Sequence, residues 1–163
     1  MEKRGQFEIS FGVIFSIIII IAIIGVSAYV LVGLLDTGKC ASIGLFYDEI
    51  KDETDRAWKS SSYSNVLDFK IEDEIEFVCF GNLDQEYDSS FEEQYKSFFR
   101  YKSQDNNLFL YPLEKACDGS LASTKIEHYE TREFFCVANE NEIVSIKLSK
   151  GSFDALPLVE KNG

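Results

Sequence analysis

The stretch from Phe11 to Leu35 is an unbroken apolar run, with Ile17 to Ile21 at its centre and no charged residue inside it. Each helical residue rises about 1.5 Å, so roughly 25 of them extend about 37 Å, more than the bilayer's hydrocarbon core of about 30 Å. The expectation is a transmembrane helix. Ile and Val are only middling helix formers in water, but in lipid a backbone must satisfy its own hydrogen bonds, and that forces the helix. Ser16 and Ser27 fall inside the run without breaking it, since each hydroxyl can donate to a carbonyl one turn earlier.

The flanks of the run orient it. Lys3 and Arg4 precede it, whereas its far side opens with Asp36 and a single Lys39 before an acidic domain, so the positive end is expected in the cytoplasm. The chain then divides into a basic cytoplasmic N-terminus (1–10), a single-pass transmembrane helix of the cell membrane (11–35) and an extracytoplasmic domain (36–163). A secretory signal cleaved near Val26-Ser27-Ala28 is the competing reading; the apolar run before it already exceeds a usual signal core of about 7 to 15 residues. A lipoprotein anchor at Cys40 is disfavoured by the polar approach Asp36-Thr37-Gly38-Lys39.

The net charge is −12, which argues against nucleic acid as a partner and against a domain lying on an anionic lipid surface, since both attract Lys and Arg. Membrane lipid around the apolar run is the one partner the residues themselves imply. With 14 Phe, 8 Tyr and only 2 Pro, the part after Leu35 reads as one packed domain and not as a disordered stalk.

Cys40, Cys79, Cys117 and Cys136 all fall in the part placed outside, where disulfides persist. Four cysteines permit three pairings, among which sequence does not choose. Cys117 with Cys136 closes the shortest loop, which makes that bond, together with Cys40 to Cys79, the pairing expected. Zinc is disfavoured, because no Cys-x-x-Cys occurs and the single histidine, His128, has no partner at ligand spacing.

Lys3-Arg4-Gly5-Gln6, followed at once by a long apolar helix, resembles the class III signal peptide of archaeal type IV pilin-like proteins. The resemblance implies cleavage by a prepilin peptidase between Gly5 and Gln6, retention of the apolar helix as the core of a filament, and other pilin-like subunits as partners. In that family a glutamate usually stands at the fifth mature position; here Ser10 holds it and Glu8 is third. An uncleaved signal anchor, with an outer domain that binds a protein or envelope component, is the alternative. The wider pattern also resembles small archaeal membrane proteins without known function.

Beyond the span, Asp36-Thr37-Gly38-Lys39 suggests a kink or short loop. From Ala41 to Ser60, Ile43, Phe46, Ile50 and Trp58 recur at helical spacing with Asp48, Glu49, Asp52, Glu53 and Asp55 on other faces, an amphipathic helix with a solvated acidic side. A span continuing into such a helix resembles the long N-terminal helix of pilins, whose upper half supports a sheet. Val66–Ile71 and Ile75–Phe80 read as strands around an acidic turn, and Phe91–Tyr101 as a helix capped by Ser89 or Ser90 with Phe91, Tyr95, Phe98 and Phe99 on one face. Leu108–Tyr111 is a strand stopped by Pro112, and Lys125–Tyr129 another. Glu133–Ala138 and Ile143–Leu148 read as a hairpin across Asn139–Glu142. The segments Glu76–Asn82 and Glu133–Asn139 echo each other, so two central strands are expected, with their cysteines bonded or buried. The fold class expected is α+β, with a small antiparallel sheet packed on the amphipathic helix.

No catalytic constellation stands out, and the expectation is a protein that is not an enzyme and takes no cofactor or metal. His128, between Glu127 and Tyr129, reads as a solvent-facing strand residue, and Trp58 as helix-end packing. Asn82–Glu93 imitates a calcium loop in its alternating oxygen donors, but Tyr87 stands where the sharp turn needs glycine, so an acidic loop before a helix is the better reading. Gly38-Lys39 lacks the rest of a phosphate-binding loop.

Overall fold

The structure, a computed structural model, describes residues 11–162. The chain divides into two units, one up to Gly38 and one from Lys39. Helix α1 (Phe11–Lys59) contributes to both. In the first unit, residues Gly12–Leu31 form a helix long and apolar enough to cross a membrane. Ser16 Oγ donates to the Gly12 carbonyl (2.8 Å) and Ser27 Oγ to that of Ile23 (2.7 Å), the one-turn-back bonds that keep both hydroxyls satisfied without a break. The kink or short loop expected at Asp36–Lys39 is not seen as a loop, since these residues are assigned to the helix. One interior glycine costs a helix about 1 kcal/mol, whereas ending and restarting it exposes a fresh set of unsatisfied backbone groups.

In the second unit the C-terminal half of α1 supplies a stripe to the core: Ile43, Phe46, Tyr47, Ile50, Thr54 and Ala57 are buried. Thr54 tolerates burial because its hydroxyl donates to the Lys51 carbonyl (2.9 Å). Asp48, Glu49 and Asp52 are exposed, as the amphipathic pattern predicts, while Glu53 and Asp55 are half-buried and bonded.

Seven strands follow, in two antiparallel sheets. One has the order β1-β6-β7, from β1 (Tyr63–Lys70), β6 (Ile143–Lys150) and β7 (Leu158–Lys161). Its β6 alternates, with Val144, Ile146 and Leu148 buried between more exposed neighbours, so one face is inside and the other wet. Phe46 of α1 meets Phe69 of β1 edge to face, ring centroids 6.1 Å apart. The other sheet has the order β4-β3-β2-β5, from β4 (Ser123–Thr124), β3 (Leu108–Tyr111), β2 (Phe77–Phe80) and β5 (Phe135–Ala138). Val78, Cys79, Phe80, Leu108, Phe109 and Leu110 are all fully buried, which explains why these strands read as continuous apolar runs. Between β2 and β3 lies α2 (Glu92–Ser97), flanked by 3-10 turns at Ser89–Phe91 and Phe98–Tyr101. Tyr95 of α2 and Phe98 at the start of the following turn pack against Phe134, with centroids 5.1 and 6.3 Å away.

The α+β class stands, with corrections of detail. The predicted hairpin of 133–138 with 143–148 does not form: β5 pairs with β2, and β6 with β1 and β7. A tight turn is present, with Asn141 and Glu142 at positive φ (56° and 64°) between mutually bonded Glu140 and Ile143. Its strands part after that single bridge because Asn139 turns inward, donating to the carbonyls of Glu72 (2.9 Å) and Ile75 (2.8 Å). Residues 125–129 are not a strand; the short β4 precedes them. The helix expected over 91–101 is α-helical for six residues only and tightens into a 3-10 turn. The 3-10 turn that leads into it is capped by Asp88, whose carboxylate accepts from Ser90 N–H (2.9 Å), and no serine hydroxyl caps the helix. Of the two echoing segments, β2 is central but β5 is at an edge.

Candidate functional site

The echo between the two cysteine-bearing strands has a structural meaning. β2 and β5 pair with Cys79 directly opposite Cys136, and the two are joined by a disulfide with both residues fully buried. The second bond joins Cys40 on α1 to Cys117 in the loop after β3, where both residues are half-buried. The expected pairing of Cys117 with Cys136 and Cys40 with Cys79 is therefore incorrect. Shortness of the closed loop is a weak entropic preference, rising slowly with length, and strand register overrides it.

Around the Cys40–Cys117 bond the chain makes a tight turn. Cys117 and Asp118 have φ of 54° and 53°, and Gly119 follows at 80°. Lys39 donates to Glu74 (2.6 Å) and Lys115 lies 3.6 Å from the same carboxylate. The hydrogen bond from Lys39, foremost, holds the Glu74 carboxyl below its ordinary range. Tyr47 O–H donates to the Leu121 carbonyl (2.5 Å), and burial pushes its phenol far up.

His128 is not a strand residue. It occupies a left-handed turn position (φ 64°), with Nδ1 2.6 Å from Asp55 Oδ1 and its ring stacked on Trp58 at 3.8 Å between centroids and 2° between planes. The hydrogen bond to His128 is the main cause that draws the Asp55 carboxyl below its usual value. This pair was not legible in the sequence, because 73 positions separate its members; the acid on the helix's otherwise solvated face gave no signal. Trp58 is 38% exposed, consistent with packing at the helix end.

The acidic loop Asn82–Glu93 does not gather its carboxylates. Asp84 pairs with Lys102 (3.0 Å), Asp88 caps the 3-10 turn, Glu92 pairs with Lys96, and Glu93 accepts from Tyr111 O–H (3.2 Å). Gln85 turns inward to Thr131, accepting from its hydroxyl (3.0 Å) and donating to its carbonyl (2.9 Å). Among the described residues no group of three or more metal-ligating side chains occurs. A cleft of about 560 Å³ opens beside β5 and β6, with Phe77, Phe91 and Ile143 among its apolar walls and Glu140 and Lys161 among its polar ones. The candidate cleavage site, Gly5 and Gln6, lies outside the described residues.

These features define a class: a disulfide-stapled α+β domain built on the C-terminal half of a helix whose N-terminal half is an apolar, membrane-length segment. No protein-family model matches the chain, and neither a curated protein nor a solved structure is significantly similar to it.

Proposed function

We propose that the protein is a pilin-like structural subunit, a filament component or minor pseudopilin of an archaeal surface, anchored and polymerised through the apolar half of α1. The observation that carries the reading is the uninterrupted helix Phe11–Lys59, apolar over Gly12–Leu31 and built into a folded domain's core from Ile43 onward. A plain anchor needs no such continuity, whereas a subunit that packs helix on helix gains from it. In this reading Lys3 and Arg4 mark the cytoplasmic end before cleavage removes them, and two disulfides suit the oxidising exterior. No catalytic role is assigned. Shearing native cells tests it: the protein should leave with the filaments, and retention of all of it in the membrane fraction would contradict polymerisation.

The cleft beside β5 favours a second reading, an uncleaved anchor whose outer domain binds a protein or envelope component. Under that reading the sheared fraction contains none of the protein.

A further inference from the structure

The two disulfides occupy opposite chemical situations. Cys79 and Cys136 are 0% exposed, on paired strands inside the core. An attacking thiolate reaches their sulfurs only if β2 and β5 separate. Cys40 and Cys117 are half-buried, and on the Cys117 side the bond ends in a turn whose following residues, Asp118 and Ser120, are exposed. Two consecutive non-glycine residues, Cys117 and Asp118, are held there in the left-handed region, a conformation that costs energy and persists only where surrounding structure imposes it. Opening the bond removes one of the constraints that impose it.

We propose that Cys40–Cys117 is a thiol–disulfide exchange site: a bond that an external dithiol opens, and that the disulfide form of the same reagent recloses by the reverse exchange, while Cys79–Cys136 stays shut and the domain stays folded. The thiolate of the dithiol attacks one sulfur of the pair, the S–S bond breaks, and the departing cysteine leaves as a thiolate that takes a proton. The second thiol of the reagent then displaces the mixed disulfide, so the chain gains two thiols and the reagent becomes a disulfide. Access decides which bond reacts, because exchange needs a sulfur that can be approached.

The fold has the means to survive the opening. The turn 116–122 keeps other ties: buried Ala116 and Ala122, the bond from Tyr47 O–H to the Leu121 carbonyl, and that from Tyr101 O–H to the Gly119 carbonyl (3.4 Å). The core half of α1 is held by Ile43, Phe46 and Ile50 independently of Cys40. Opening therefore releases the turn that carries Cys117 from Cys40, near the start of the second unit, and leaves the core closed. The inference does not depend on filament assembly, since an anchored monomer would carry the same half-buried bond.

The test uses the full chain purified in detergent without reductant, treated with graded dithiothreitol, alkylated and mapped by peptide mass. Cys40 and Cys117 should be alkylated at least about tenfold faster than Cys79 and Cys136, with the emission of Trp58 unchanged while only the first pair has reacted. Monothiol glutathione should leave a mixed disulfide on Cys40 or Cys117 and on neither core cysteine. The double variant Cys40→Ser/Cys117→Ser should fold with Cys79–Cys136 formed and resist dithiothreitol under the same conditions. Equal rates for the two pairs, prior reaction of Cys79 and Cys136, or unfolding on loss of the first bond would each overturn the proposal.

Discussion

The rings of Trp58 and His128 lie face to face, 3.8 Å between centroids and 2° from parallel, joining the last turn of α1 to the loop that leads into β5. Asp55, one helical turn before Trp58, holds the imidazole in that position through Nδ1. The chain has one Trp, so its indole emission reports the surroundings of Trp58, of which this stack is part. Replacing His128 with Ala uncovers one face of the indole, and the emission should shift to the red; Asp55→Asn should shift it less, since an amide can still bond the ring. An unchanged spectrum in His128→Ala would mean that the stack does not form in solution.

Gly81 ends β2 at φ 117°, where a Cβ would lie 2.8 Å from Gln85 Oε1, 2.9 Å from Thr131 Oγ1 and 3.0 Å from Phe134 Cα. Strain and crowding act together there, because the crowding atoms belong to a bonded Gln85–Thr131 pair. Gly81→Ala should destabilise the oxidised domain by about 2–3 kcal/mol in urea unfolding. Gly44, whose added Cβ would meet nothing within 4 Å, serves as the control: Gly44→Ala should be neutral or stabilise by up to about 1 kcal/mol.

Phe46 is 1% exposed and touches the rings of Tyr47 and Phe69. Phe46→Ala should cost about 3–5 kcal/mol, whereas Leu45→Ala, one position along but 69% exposed, should cost under about 0.5 kcal/mol. Equal effects would mean that α1 does not pack through this face.

Asp55, Glu74 and Asp88 are each held below the usual carboxylate range, by the hydrogen bonds of His128, Lys39 and the Ser90 backbone N–H respectively. A depressed carboxyl stabilises the fold above its unfolded value, near about pH 4, and that contribution disappears as pH falls through the lower folded value. The urea midpoint should therefore be insensitive to these groups from neutrality to about pH 5 and should decline below about pH 4. Glu74→Gln should remove part of that decline. All three groups are exposed enough for solvent screening to keep each contribution modest.

Much of this architecture is local and was readable as such. The apolar run from Phe11 to Leu35 announces a helix that Ser16 and Ser27 do not break, and the stripe Ile43, Phe46, Ile50 announces its buried face. The continuous apolar run at β2 announces a strand covered on both sides. What sequence did not disclose depends on long-range register. The repeated cysteine segments pointed to related strands, but only their antiparallel alignment sets Cys79 against Cys136 and leaves Cys117 for Cys40. The sharp turn at Asn139–Glu142 looked like a hairpin because turn chemistry is local, while the inward bonds of Asn139 that separate the two sheets are not. His128 read as a lone surface residue because its partner lies on a helix that sequence distance hides.

The central claim is that the apolar half of α1 is a pilin-like assembly element, and its most direct test is the intact mass and N-terminal sequence of the native protein, taken from membranes without reductant. The account predicts a mature chain that begins at Gln6 and is four hydrogens lighter than its composition, as two disulfides require. A chain that retains Lys3 and Arg4 would contradict it and identify a permanent anchor.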